Sequence, residues 1–239
     1  MNQFHIRDCV TDMYVAAMRN SKEMKMDKEK SLLEARNITF QYSKDTRMIL
    51  KDFSLTVSGE ERMGLVAPSG FGKTTFCKIL AGYEQPDAGE VLLDGIPLSS
   101  YKGYCPVQMI WQHPEQSVNP RLRMSEVLAE GDEVEPRIIE GLGIEADWLN
   151  RYPAEISGGE MQRFCIARAL GKRTRFLLAD EISTMLDLIT QSQIWHFLIE
   201  EVQKRKIGLL TVSHNDELLK QVCTMICNLE ENAETPRCS

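Results

Sequence analysis

The chain has 239 residues, 43% of them hydrophobic and 26% charged, with a formal net charge of -7. That length can bury a full core for one α/β domain with a small inserted subdomain, and the composition is ordinary for a soluble globular protein. The acidic balance gives no support to a nucleic-acid-binding domain, and no apolar run reaches the 18 residues of a membrane-spanning helix.

The start of the chain lacks the basic-then-apolar layout of a signal peptide. The cysteines (9, 77, 105, 165, 223, 227 and 238) are odd in number and form no C-x-x-C pair. Reduced cytosolic thiols are the expectation, rather than disulfides or a metal site.

Residues 1–30 end in the polar run "RNSKEMKMDKEK" and read as a frayed or helical N-terminal extension, with Met24 or Met26 as alternative starts. Residues 31–239 read as a single domain. "ITFQY" (38–42) and "LKDFSLTV" (50–57) alternate as strands do, and "RMGLVA" (62–67) is an apolar run suited to a buried strand. A glycine-rich turn and a helix from about Thr74 follow, then a hairpin-like "GEVLLDGIPL" and a short strand "VQMIW". Residues 113–156 read as loop and short helices ("MSEVLAEG", "EPRIIEGLG", "EADWLNRY"), an inserted helical subdomain. After it come a helix (157–170), a strand "RFLLAD", a helix from Leu188, a strand "IGLLTVS", a helix "DELLKQV" and a strand "TMICNL". Strand alternating with helix implies an α/β fold, with a mainly parallel sheet covered by helices.

"APSGFGKTT" (67–75) follows the buried strand and opens a helix, the context of a phosphate-binding P-loop. There, the backbone of Ser69, Gly70, Phe71, Gly72, Lys73, Thr74 and Thr75 would wrap the phosphates. Lys73 would neutralise β/γ charge, and Thr74 would offer an oxygen to Mg²⁺. The strict pattern begins with glycine, and Ala67 stands there instead. Because Gly70 and Gly72 remain at the turn, Ala67 is expected to sit in extended backbone at little cost.

"RFLLADE" ends an apolar strand in two carboxylates. In a P-loop protein Asp180 would hold Mg²⁺ or its water, and Glu181 would act as general base on an attacking water. His214 in "TVSHN" and Gln112 in "MIWQHP" each end a strand, placed to reach the γ-phosphate, the metal or the water. Taken singly, each of the two is also an ordinary surface residue.

The helix beginning at Ser157 opens with Gly158 and Gly159, residues that cost helix stability. Bare N–H groups at the positive end of a helix suit phosphate, yet no catalytic side chain stands beside them.

Together these motifs resemble the ATP-binding cassette (ABC) ATPases, from about Leu32 to Leu229. "APSGFGKTT" is similar to that family's Walker A segment and "FLLADE" to its Walker B. Gln112 stands where its Q-loop glutamine does, His214 at its switch histidine, and "STMLD" at its D-loop, closed by Asp187. "ISGGEMQR" resembles the signature motif, with Glu160 in place of the more usual glutamine.

The resemblance implies a P-loop NTPase (RecA-like) core, an antiparallel β subdomain and the helical insert. Tyr42 would stack on adenine; an exposed tyrosine on an edge strand is the plainer reading. Ser157, Gly158, Gly159 and Glu160 would face ATP held by a second cassette, so that ATP is sandwiched between two subunits.

"VQMIWQHPEQSVNPRLRMSEVLAEG" (107–131) resembles the peptide and nickel importer branch. That implies a cytoplasmic subunit, peripheral on the inner face of the membrane and using ATP and Mg²⁺. Its partners would be a second ABC ATPase, same or paralogous, integral membrane permeases and, indirectly, a substrate-binding protein. The short helical region points to nickel, a metal chelate or small peptides as cargo. Two alternatives stay open: a soluble cassette of a metabolic complex of the phosphonate-lyase type, and a nucleotide-binding regulator without turnover.

Overall fold

The computed structural model describes residues 31–43, 47–184 and 186–229. The extension read over residues 1–30, the alternative starts Met24 and Met26, and Cys9 and Cys238 lie outside the described residues.

In chain order the strands are β1 (Leu32–Phe40), β2 (Leu50–Ser58), β3 (Arg62–Val66), β4 (Ala88–Leu93), β5 (Ile96–Pro97), β6 (Val107–Ile110), β7 (Phe176–Asp180), β8 (Gly208–Val212) and β9 (Met225–Asn228). The helices are α1 (Lys73–Leu80), α2 (Met124–Ala129), α3 (Pro136–Gly141), α4 (Gly158–Ala169), α5 (Leu188–Arg205) and α6 (Asp216–Val222). The strands form an antiparallel sheet ordered β2-β1-β4-β5 and a parallel sheet ordered β6-β7-β8-β3-β9.

β1 begins earlier and ends sooner than "ITFQY" suggests. Its buried residues run Leu33, Ala35, Ile38 and Phe40, so the period of two breaks between Ala35 and Ile38. A bulge there puts Asn37 at φ 51° and shifts the register against β2. An extra residue in one strand hides the alternation from a sequence reading. Tyr42 therefore lies beyond the strand, not on it. The β4–β5 hairpin turns at Asp94-Gly95, both with positive φ, as a two-residue turn of that kind requires.

β7 and β8 are buried along their whole length, on both faces of the parallel sheet, which is why they read as mainly apolar runs. Phe176, Leu178, Leu210 and Val212 face a core shared with the antiparallel sheet and α1. Leu177, Ala179 and Leu209 face the other core, with α4 and α5. Each fully buried Leu, Ile or Phe there stabilises the fold by about 1.5–3 kcal/mol relative to exposure.

The insert packs on α4: Val118, Met124, Val127, Leu128, Ile138 and Ile144 share a cluster with Met161, Phe164, Cys165 and Ile166. "EADWLNRY" condenses to a single 3-10 turn at Trp148–Asn150 rather than a longer helix.

Candidate active site

Parallel order places the carboxyl ends of β6, β7, β8 and β3 side by side, and each of them delivers one predicted segment. From β3 the loop 67–72 leads into α1. Its left-handed residues are Gly70 (φ 76°) and Gly72 (φ 91°), whereas Ala67 keeps a negative φ, as expected. A Cβ on Gly72 would lie 2.5 Å from Ile49 Cγ2, so this position needs glycine for space as well as for conformation. Lys73 is 6% exposed, and its Nζ donates to Ala67 O (2.5 Å) and Pro68 O (3.2 Å). Phe71 packs its ring against the first core, so it offers the loop backbone and not a side chain.

At the end of β7, Asp180 is buried, and its Oδ1 has no hydrogen-bond partner. Burial raises its pKa above the ordinary carboxylate value, opposed by a hydrogen bond with Thr74 and by the Lys73 charge. Glu181 follows with φ 49°, an unusual conformation for a residue with a Cβ, and its N–H donates to Val212 O at 3.0 Å. Its carboxylate is met from both sides. Gln112 Nε2, beyond β6, donates to Oε2 at 3.0 Å, and His214 Nε2, beyond β8, lies 2.8 Å from Oε1. Two residues read separately from the sequence thus converge on the carboxylate of a third.

Ile49, Ser69, Gly70, Gly72, Lys73, Thr74, Thr75, Glu181 and His214 line one pocket. Tyr42 stands near its edge, 56% exposed, its hydroxyl 3.0 Å from Thr75 Oγ1 and its ring edge-on to Phe40.

Ser157, Gly158, Gly159, Glu160 and Asp187 are not brought to that pocket. They line a second groove with Trp148, Arg163, Leu186 and Thr190. Ser157 caps α4: its Oγ accepts from Glu160 N (3.2 Å), and the Glu160 carboxylate accepts from Ser157 N (2.6 Å). The S-x-x-E spacing of this capping box was visible in the sequence. The unusual Glu160 thus has a structural task. Asp187 likewise caps α5, accepting from Ile189 N and Thr190 N at 3.0 Å, and the bond to Thr190 lowers its pKa.

Glu160→Ala is expected to lower stability by about 0.5–1 kcal/mol, as a lost cap contact does, while Glu160→Gln retains most of it. Urea unfolding of both variants checks this.

Two further residues make part-buried polar contacts, one beside the site and one at the opposite end of the sheet. Gln162 of α4 is buried and donates to Trp111 O. Arg205 donates to Leu170 O and Gly171 O, closing the carboxyl end of α4. A glutamine in an otherwise apolar helical stripe was the signal for the first; for the second there was none.

A phosphate loop after one parallel strand, an acid pair after another and a polar partner from each flanking strand define a P-loop nucleotide hydrolase. The family model described as ABC transporter matches residues 50–184. The dipeptide transport ATP-binding protein DppF of Lactococcus lactis is 32% identical over 84% of this chain and 72% of its own length. The peptide transport system ATP-binding protein SapF of Salmonella typhimurium is 30% identical over 87% and 85%.

The solved dimeric structure of MJ0796, a bacterial ABC transporter cassette, superposes with a TM-score of 0.70 at 22% identity, covering 82% of this chain and 93% of the other. That likeness establishes the fold. The chain belongs to the ABC transporter family, as an ATP-binding, ATP-hydrolysing cassette.

Proposed function

We propose that this chain powers the uptake of small peptides through a membrane permease, hydrolysing ATP when two cassettes close on one another. The observation that carries it is the convergence of Gln112 and His214 on Glu181 beside the Lys73 pocket. A regulator without turnover has no need of a carboxylate so held. Relatives of like identity bear oligopeptide, dipeptide and putrescine names, and the peptide names favour peptide over nickel or a chelate as the cargo.

In this reading the loop N–H groups and Lys73 bind the phosphates, and Tyr42 stacks on adenine. Thr74, Asp180 and Gln112 are placed to hold Mg²⁺. The buried, unpartnered Asp180 Oδ1 beside Thr74 fits a cation, since burying a lone carboxylate oxygen is otherwise a net cost. Bound there, Mg²⁺ neutralises phosphate charge.

Glu181 takes the proton of the attacking water. Gln112 and His214 fix the orientation of its carboxylate. Ser157, Gly158 and Gly159 line a groove that shares no residue with the Lys73 pocket. Each cassette therefore carries two half-sites, and a second copy or a paralogue completes both. Among the described residues no helix is long and apolar enough to cross a membrane. We place the chain on the inner membrane face, held by permease subunits.

The test is a pull-down of the tagged chain from mildly solubilised membranes of its own cell, read by mass spectrometry. Multi-span permeases, with or without a sister ATPase, are the expected catch. Soluble proteins alone, with a control permease complex surviving the same detergent, would favour the metabolic-complex reading.

A further inference from the structure

Gln162 sits five positions beyond Ser157 on α4 and is 3% exposed. Its helix neighbours Met161, Phe164, Cys165 and Ile166 belong to the apolar cluster beneath the insert. An amide buried among them loses water at both of its ends. One end is repaid: Nε2 donates to Trp111 O at 3.4 Å. The other, Oε1, has no partner. Leucine at this place would spare the unpartnered Oε1 but would leave the Trp111 carbonyl without its Gln162 donor, so stability alone does not account for the amide.

The carbonyl that Gln162 holds belongs to the peptide joining Trp111 to Gln112. Gln112 in turn donates to Glu181 Oε2 at 3.0 Å. The Trp111 ring is gripped from another side. Lys78 Nζ, in the last turn of α1, lies 5.2 Å from its centroid, and Tyr83, just past α1, meets it edge-on at 5.2 Å. Ring, carbonyl and following side chain of one stretch are thus tied to the P-loop helix, the signature helix and the general base.

We propose that Gln162 and Trp111 are a positioning pair that registers α4 and α1 against Glu181 through Gln112. The orientation of the base then depends on where the signature helix sits. The pair touches no reacting atom, and it rests on the ATPase reading above.

The test uses the full chain with MgATP and compares wild type, Gln162→Leu, Gln112→Ala and the double variant. Gln162→Leu keeps the volume and removes the donor. We expect its melting temperature to change little, because the spared Oε1 offsets the lost donor, ATP affinity to stay within about twofold, and kcat to fall about tenfold, as a less well oriented base would cost. The double variant should be no slower than Gln112→Ala, because residues acting through one another are not additive.

Wild-type turnover in Gln162→Leu, or losses that multiply in the double variant, would overturn the pair. Should Leu lower the melting temperature, Gln162→Met replaces it; a fall in both would assign Gln162 to stability and overturn the proposal as well. A wild-type chain that binds no MgATP would instead sink the ATPase reading, and the pair with it.

Discussion

Glu181→Gln is expected to cut ATP turnover about 10²–10⁴-fold while leaving ATP bound. The substitution keeps length and shape, so the groups around it stay in place. Gln112 Nε2 still finds a carbonyl oxygen, and His214 can meet the new amide N–H as its acceptor tautomer. What disappears is the proton acceptor. Lys73, the loop N–H groups and Thr74 are untouched, and on the sandwich model binding and closure precede hydrolysis.

The variant should therefore accumulate as an ATP-bound dimer, visible on a sizing column in MgATP and absent in MgADP. A monomer in both, with any partner cassette supplied, would count against two half-sites per chain. Wild-type turnover would remove Glu181 as the base.

Local chemistry was enough for the elements around the site. Gly70 and Gly72 before Lys73 announce a tight strand-to-helix loop, and the apolar run ending in Asp180-Glu181 announces a strand tip facing polar surroundings. What was not legible is that Gln112, Glu181 and His214 touch. Their strands are β6, β7 and β8, far apart in the chain, and only the order β6-β7-β8-β3 makes them neighbours. Strand order follows from how helices cross over the sheet, which no local pattern records.

The bulge at Asn37 hid half of β1 for a different reason, since one inserted residue inverts the alternation on which strand recognition rests. For Gln162 the apolar stripe around it signals burial, but nothing local records that its oxygen stays unpaired or which carbonyl its amide meets. The Glu160 departure had its cause in plain sight, three residues after Ser157.

Lys73→Ala should fail one step earlier than Glu181→Gln, at binding. Lys73 is buried, and its ammonium donates to the carbonyls of Ala67 and Pro68. Charge-assisted hydrogen bonds of this kind contribute about 1.5–3 kcal/mol each. Removing the cation deprives the phosphates of their neutralising charge and lets the loop's own carbonyls face them, so the loss is of attraction and of shape together. ATP affinity should fall by about 10²-fold or more, since each 1.4 kcal/mol is a factor of ten.

Lys73→Met separates the two contributions, because it fills the stem's space without the charge. It also leaves the Ala67 and Pro68 carbonyls without their donor, so the unliganded protein should melt slightly lower than wild type, which the ligand-induced shift must be measured against. Ligand-induced stabilisation is a cleaner readout than activity, since saturation at about 100 times Kd adds about 2.7 kcal/mol to the folded state. Wild type and Glu181→Gln should both show the resulting rise in melting temperature with MgATP, and Lys73→Met should show almost none. An equal rise in all three would mean that backbone N–H groups hold the nucleotide without Lys73, leaving the lysine a structural clasp of Ala67 and Pro68.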